Sequence, residues 1–191
     1  MRPNKRDELV RKALKVFYRD GFHATGMDKL VAETGVSKTS MYKHFRTKED
    51  LILAALRLRD ENFRNWFMRR VEELADTPAD QLISSFDALG EWFAEDGFRG
   101  CMFIKAGAEF QEKEHPIHVQ AAEHKRLLLE YFTDLSRKAG ACDPESLGCQ
   151  ILLLKEGAIV TAVLLKSCDP AQDAKAAARV LLENALAAPI Q

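Results

Sequence analysis

Residues 35–45 read Gly-Val-Ser-Lys-Thr-Ser-Met-Tyr-Lys-His-Phe, and this stretch decides what kind of fold the chain builds. Gly35 suits a tight turn because it takes positive φ without a Cβ clash. Ser37 is of the type that caps a helix. In the helix that follows, Met41 and Phe45 stand four apart as apolar anchors, while Lys38, Thr39, Ser40, Lys43 and His44 take outward positions. A helix of this size, with short polar and basic side chains on one face, has the donors and acceptors to lie in a DNA major groove. Lys38, Thr39 and Ser40 occupy its first turn, where base edges are touched. Tyr42, Lys43, His44 and Lys48 are placed for phosphates. Thr25 and Thr47 join the phosphate set because each is expected to mark a helix N-terminus, whose free N–H groups attract anions.

Outward from this stretch, apolar residues recur at three- and four-residue intervals, with no strand alternation, internal repeat or low-complexity segment, so the expected fold is all-α. Leu9, Ala13, Val16 and Phe17 form the inner stripe of a first helix, which Asn4 and Asp7 open and Gly21 closes. Thr25 with Asp28 predicts the start of a short second helix with Met27, Leu30 and Val31 inward. Thr47 with Asp50 opens a long fourth helix, running over 48–74. Breaks at Asp76-Thr77-Pro78, Gly97 and Gly100, His115-Pro116, Gly140 to Pro144 and Asp169-Pro170 divide the rest into about five more, near nine in total. The last two are expected near Glu145 to Lys166 and Ala171 to Ala188.

The net charge of −1 conceals an asymmetry. Met1 to Asp50 carries 12 Lys and Arg against 7 Asp and Glu, a charge of +5, which leaves −6 on the remainder. A basic head on an acidic body fits a head that faces phosphate, where counterion release favours Lys and Arg. The opening residues lack an apolar h-region and no run is expected to span a membrane, which points to the cytosol and to no membrane partner. Cys101, Cys142, Cys149 and Cys168 form no C-x-x-C pair and are expected as free thiols.

Phe17, Gly21, Phe22, Thr25, Gly35-Val36-Ser37, Tyr42, His44-Phe45 and Lys48 together resemble the N-terminal signature of the TetR family of bacterial transcriptional repressors. The resemblance covers roughly residues 5 to 55, including Phe-x-x-x-Gly-Phe, Ser-Lys-x-x-x-Tyr-x-x-Phe and a Lys-Glu-Asp-Leu start to the fourth helix. Val31 departs from it, since family members often carry Ala where the second and third helices cross. The resemblance implies an Ω-shaped homodimer of nine-helix subunits that binds double-stranded operator DNA. The last two helices of each subunit would form a four-helix dimer bundle, and a small-molecule effector would enter the C-terminal part. The expected organisation is a helix-turn-helix head over 1–50 and a sensing and dimerisation domain over 51–191.

For that body, Phe63, Trp66, Phe67, Phe86, Trp92, Phe93, Met102, Phe103 and Phe110 are candidates to line an apolar effector pocket, with Glu109 and His118 or His124 as its polar groups. Leu147, Ile151, Leu154, Ala158, Thr161, Ala162 and Leu165, with Ala174, Ala177, Ala178, Leu181, Leu182 and Ala185, form stripes suited to close helix approach, between subunits or within one. Gly100-Cys101-Met102-Phe103 resembles a helix start at which some TetR-family members sense electrophiles. A cysteine at a helix N-terminus is favoured as the reactive thiolate, which makes Cys101 a candidate redox site, although a small buried hydrophobe is the simpler reading. Pro116 interrupts the run Glu112, His115, His118, so no metal is expected there. No cofactor motif is apparent, and neither a catalytic triad nor a phosphate-cradling loop can be picked out, which disfavours an enzyme.

Overall fold

The computed structural model describes residues 4–165 and 168–187. Among them are nine helices: α1 Lys5–Asp20, α2 Met27–Thr34, α3 Lys38–His44, α4 Lys48–Leu74, α5 Pro78–Phe93, α6 Met102–Glu109, α7 Pro116–Lys138, α8 Pro144–Leu164 and α9 Pro170–Leu186. The ends expected at Lys166 and Ala188 lie outside the described residues. Four helices begin on a proline, whose missing N–H would have no partner in a first turn.

Capping chemistry sets most of the boundaries. The Asn4 side chain accepts from the Arg6 N–H, and Gly21, at φ +83°, donates to the Phe17 carbonyl to close α1. Thr47 and Asp50 exchange hydrogen bonds at α4, each side chain accepting from the other's N–H. At α2 the expected cap is corrected. Gly26 precedes the helix with no side-chain cap, while Thr25 is fully buried and its hydroxyl donates to the Gly21 carbonyl at 2.7 Å. The Phe22-to-Gly26 turn pulls Thr25 into the core, because Phe22 beside it is also fully buried.

Two compact units result. One comprises the described residues up to Phe63 together with Met102–His124. Its core gathers Leu9, Ala13, Phe17, Phe22, Leu30, Met41, Leu51 and Ile52, all close to fully buried. Within it the His124 imidazole is 2.7 Å from the Asp60 carboxylate and stacks on Phe103 at 3.7 Å, so His124 is a core residue of this unit.

The other unit comprises Arg64–Cys101 and the described residues from Lys125 onward. Here α8 packs on α9 and both pack on α5. Gly148 permits the close approach of α7, because a Cβ there would meet the Thr133 backbone at 2.9 Å. Among the described residues α8 is long and apolar enough, by length and composition, to cross a membrane, against the expectation that no run would be. The cause is that apolar residues fill both its packed face and its open one.

Candidate nucleic-acid interface

In the first unit, α2, the Gly35 turn and α3 form a helix-turn-helix. Gly35 sits in the left-handed region at φ +69°, and its N–H closes α2 on the Val31 carbonyl. Ser37 caps α3 by accepting from the Ser40 N–H at 3.3 Å. Met41 and Phe45 are buried at 1% and 6% exposure, which fixes the rotation of the helix. That rotation leaves Lys38, Thr39, Tyr42, Lys43 and His44 exposed and Ser40 half-buried. Val31 is half-buried rather than fully inward.

The remaining candidates divide. Thr47 is exposed at the start of α4. Lys48 is half-buried, and its ammonium donates to the Phe22 carbonyl at 3.0 Å, so it braces the turn before α2. Lys38 lies 3.3 Å from Asp28, an exposed pair of little strength that a phosphate or base edge can replace. Thr25 drops out of the phosphate set, since its hydroxyl and its N–H are both spent inside the fold. Sequence reading passed over Arg46, which is exposed between α3 and α4. With Arg6, His44 and Arg57 it lines a groove of about 360 Å³. A basic residue directly after the last apolar anchor of a reading helix is the signal that marks it.

The expected effector residues divide between the two units. Glu109, His118 and Phe110 are corrected: the Glu109 carboxylate is bound by backbone N–H groups of Phe22 and His23, Phe110 stacks on His23, and the His118 ring nitrogen is 2.8 Å from the Phe110 carbonyl. Phe63 and Phe103 enclose His124, and Met102 is buried in the same unit. In the second unit Phe67 meets Phe132 edge-on at 6.2 Å, Trp92 meets Phe98 at 4.9 Å with Phe93 alongside, Phe86 is fully buried and Trp66 half-buried. The sequence reading missed Tyr131 beside Phe67. Its hydroxyl is buried with no hydrogen-bond partner among the described residues, and burial raises its pKa.

The second unit also holds a buried ionic cluster. Lys125 donates to Glu156 at 2.5 Å and to the Cys101 sulfur at 3.3 Å, and the almost fully buried Lys155 donates to Glu156 at 3.0 Å. Burial alone would raise the Glu156 carboxyl, but the ammonium groups of Lys155 and Lys125 outweigh it and hold the group at about 2. Burial pulls the Lys155 amine below its ordinary range. For Lys125 burial acts in the same direction, yet Cys101 and Glu156 at its side carry it above that range. Cys101 itself is 7% exposed and directly precedes α6.

Of the two packings left open for the α8 stripe, the one within a subunit is seen. Leu147, Ile151 and Ala158 are buried within the unit, whereas Leu153 and Leu164 keep 74% and 72% of their surface. With Gly157 and Val160 these two form an open face at i, i+4, i+7 and i+11. On α9, Ala174, Ala178 and Leu182 face inward and Val180 and Leu186 stay exposed.

An all-helical chain with an exposed polar face on the second helix of a helix-turn-helix defines a DNA-binding regulator. The family described as bacterial regulatory proteins, tetR family, matches residues 9–55. The HTH-type transcriptional regulator YjdC of Escherichia coli is 23% identical over 154 residues, 81% of each chain. The HTH-type transcriptional activator FasR of Mycolicibacterium smegmatis is 31% identical over 100 residues, 51% of this chain and 45% of that one. SCO4454, a TetR-family transcriptional regulator from Streptomyces coelicolor, superposes with a TM-score of 0.89 at 27% identity, covering 95% of this chain and 90% of that one. The head of the chain is that of the TetR family, and the chain is a DNA-binding transcriptional regulator like its relatives. Regulators of this family bind DNA as dimers.

Proposed function

We propose that the chain acts in the cytoplasm as a repressor, binding a palindromic operator as a homodimer and leaving it when a small apolar or amphipathic effector binds. The observation that carries this is the exposed polar face of α3, locked in rotation by Met41 and Phe45. Thr39, Ser40 and Lys38 read base edges, while Tyr42, Lys43, His44, Thr47 and Arg46 hold phosphates and Lys48 braces the turn before α2. Two reading helices about 34 Å apart engage successive major grooves on one side of the duplex. Subunits pair through the open faces of α8 and α9, which supports a functional division into a head over 1–50 and a sensing and dimerisation part over 51–191. The effector binds in the aromatic part of the second unit, where the Tyr131 hydroxyl offers a hydrogen bond beside Phe67. It then acts by favouring a dimer that no longer spans both half-sites.

Mobility shift at physiological salt, with competitor DNA and the duplex upstream of the chain's own reading frame, tests the reading. Tyr42→Phe or Lys43→Ala should weaken binding to all sequences, and the lysine change alone should also flatten the salt dependence, by a log–log slope of about 1. Thr39→Ala or Ser40→Ala should change which operator is preferred, at about 1–3 kcal/mol per position read. Unchanged affinity and preference in both kinds of variant refutes these roles.

The 3.3 Å contact between the Lys125 ammonium and the Cys101 sulfur favours a second reading, in which an electrophile or oxidant modifies Cys101 and releases the DNA. Mass spectrometry after mild peroxide or N-ethylmaleimide treatment should then find Cys101 modified and operator affinity reduced. An unmodified Cys101 with affinity intact rules it out.

A further inference from the structure

Phe22 and His23 present consecutive backbone N–H groups just beyond α1, a turn that makes a nest for an anion. Glu109, the last residue of α6, fills it. Its carboxylate oxygens accept from the Phe22 N–H at 3.0 and 3.1 Å and from the His23 N–H at 2.6 Å, and the His23 ring nitrogen stands 3.0 Å away. A Cβ on Gly21 would come within 3.0 Å of that carboxylate, so the turn closes around Glu109 only with glycine at its head. Lys105, also on α6, adds a second tie by donating to the Tyr18 carbonyl at 3.2 Å. The other side of the same peptide is held too, because the Phe22 carbonyl accepts from Lys48 at 3.0 Å, three residues after the last anchor of α3.

The Phe22 residue is thus gripped at its N–H by α6 and at its C=O by the start of α4, the element that follows the reading helix. We infer that Glu109 is a positioning residue for operator binding: through the Phe22–His23 turn it sets the placement of α3 against α6, without touching DNA. This rests on the reading of α3 as the operator-reading helix. The glutamine variant E109Q keeps the shape of the side chain but loses the charge and turns an N–H₂ toward backbone donors, which should free the turn.

The test uses a duplex that the wild-type protein enriches from a randomised library. E109Q should bind it about tenfold more weakly, within the usual range for coupling between separate sites. The slope of log affinity against log salt should stay as in wild type, because no phosphate contact is removed. Discrimination against a duplex whose half-sites stand one base pair further apart should shrink, since a loosened head tolerates wrong spacing. A variant with lowered melting temperature but wild-type affinity per active dimer and wild-type spacing preference overturns the inference, and a changed salt slope overturns it in favour of direct contact. If E109Q does not fold, hydrogen exchange on the wild-type protein decides. Protection of the Phe22 and His23 amides that rises on DNA binding supports the inference, and unchanged protection overturns it. Failure of wild type to enrich any sequence sinks the operator reading and this inference with it.

Discussion

Replacing Glu156 with glutamine should destabilise the second unit by about 3–5 kcal/mol, the usual cost of stranding a buried charge by deleting its partner. Glu156 is the carboxylate shared by Lys155 and Lys125, and the Lys155 side chain is 1% exposed. Without that carboxylate, the Lys155 amine must either stay charged in a low-dielectric interior or release its proton. The folded carboxyl is held at about 2 against an ordinary 4.5. Because the folded value is the lower one, the stability it contributes is fully present above the unfolded value. It is lost as pH falls from near 4.5 through about 2. That displacement corresponds to about 3 kcal/mol. Thermal unfolding at pH 7 should therefore show E156Q melting lower by roughly 10 °C. The gap to wild type should narrow below about pH 4. Equal melting temperatures at pH 7, or a gap that widens in acid, would contradict the cluster's role.

Leu153→Glu should remove high-affinity operator binding while leaving each subunit folded. Leu153 is 74% exposed, so a charge there costs the isolated subunit little. In the proposed dimer the same position lies in an isologous interface, where each substitution acts twice and two new carboxylates are brought near one another. Burying each leucine contributes about 1.5–3 kcal/mol that the variant forfeits. Once the subunits separate, each head binds a half-site alone and the linkage that makes the second binding event intramolecular is gone, a loss of about 10²–10⁴ in operator affinity. Analytical ultracentrifugation should show a monomer with a wild-type helical spectrum. A variant that remains dimeric and binds operator normally would place the interface elsewhere. Ile151→Glu is the contrasting control: Ile151 is fully buried, and its substitution should unfold the unit instead.

The amino-acid order by itself determined the helices and the reading head, because those features depend on near neighbours. Asn4, Ser37 and Thr47 cap helices through side chains that reach N–H groups two or three residues on, and Gly35 supplies a left-handed turn wherever the rest of the chain lies. Met41 and Phe45, four apart in the sequence, mark the face of α3 that is buried and so the face left open. Thr25 shows the limit of local reading, since a hydroxyl suited to capping is drawn inward by the buried turn around it.

What only the tertiary structure decided are the contacts between residues far apart in the chain. Glu109 reads as a pocket acid in its own helix, yet it lies against N–H groups 86 and 87 positions earlier. On α8, apolar residues occupy both faces, so the sequence periodicity does not say which side packs. The packing of α5 and α9 buries Leu147, Ile151 and Ala158 and leaves Leu153, Val160 and Leu164 open. Local chemistry acts over one helical turn, whereas burial and charge pairing are set by which helices meet.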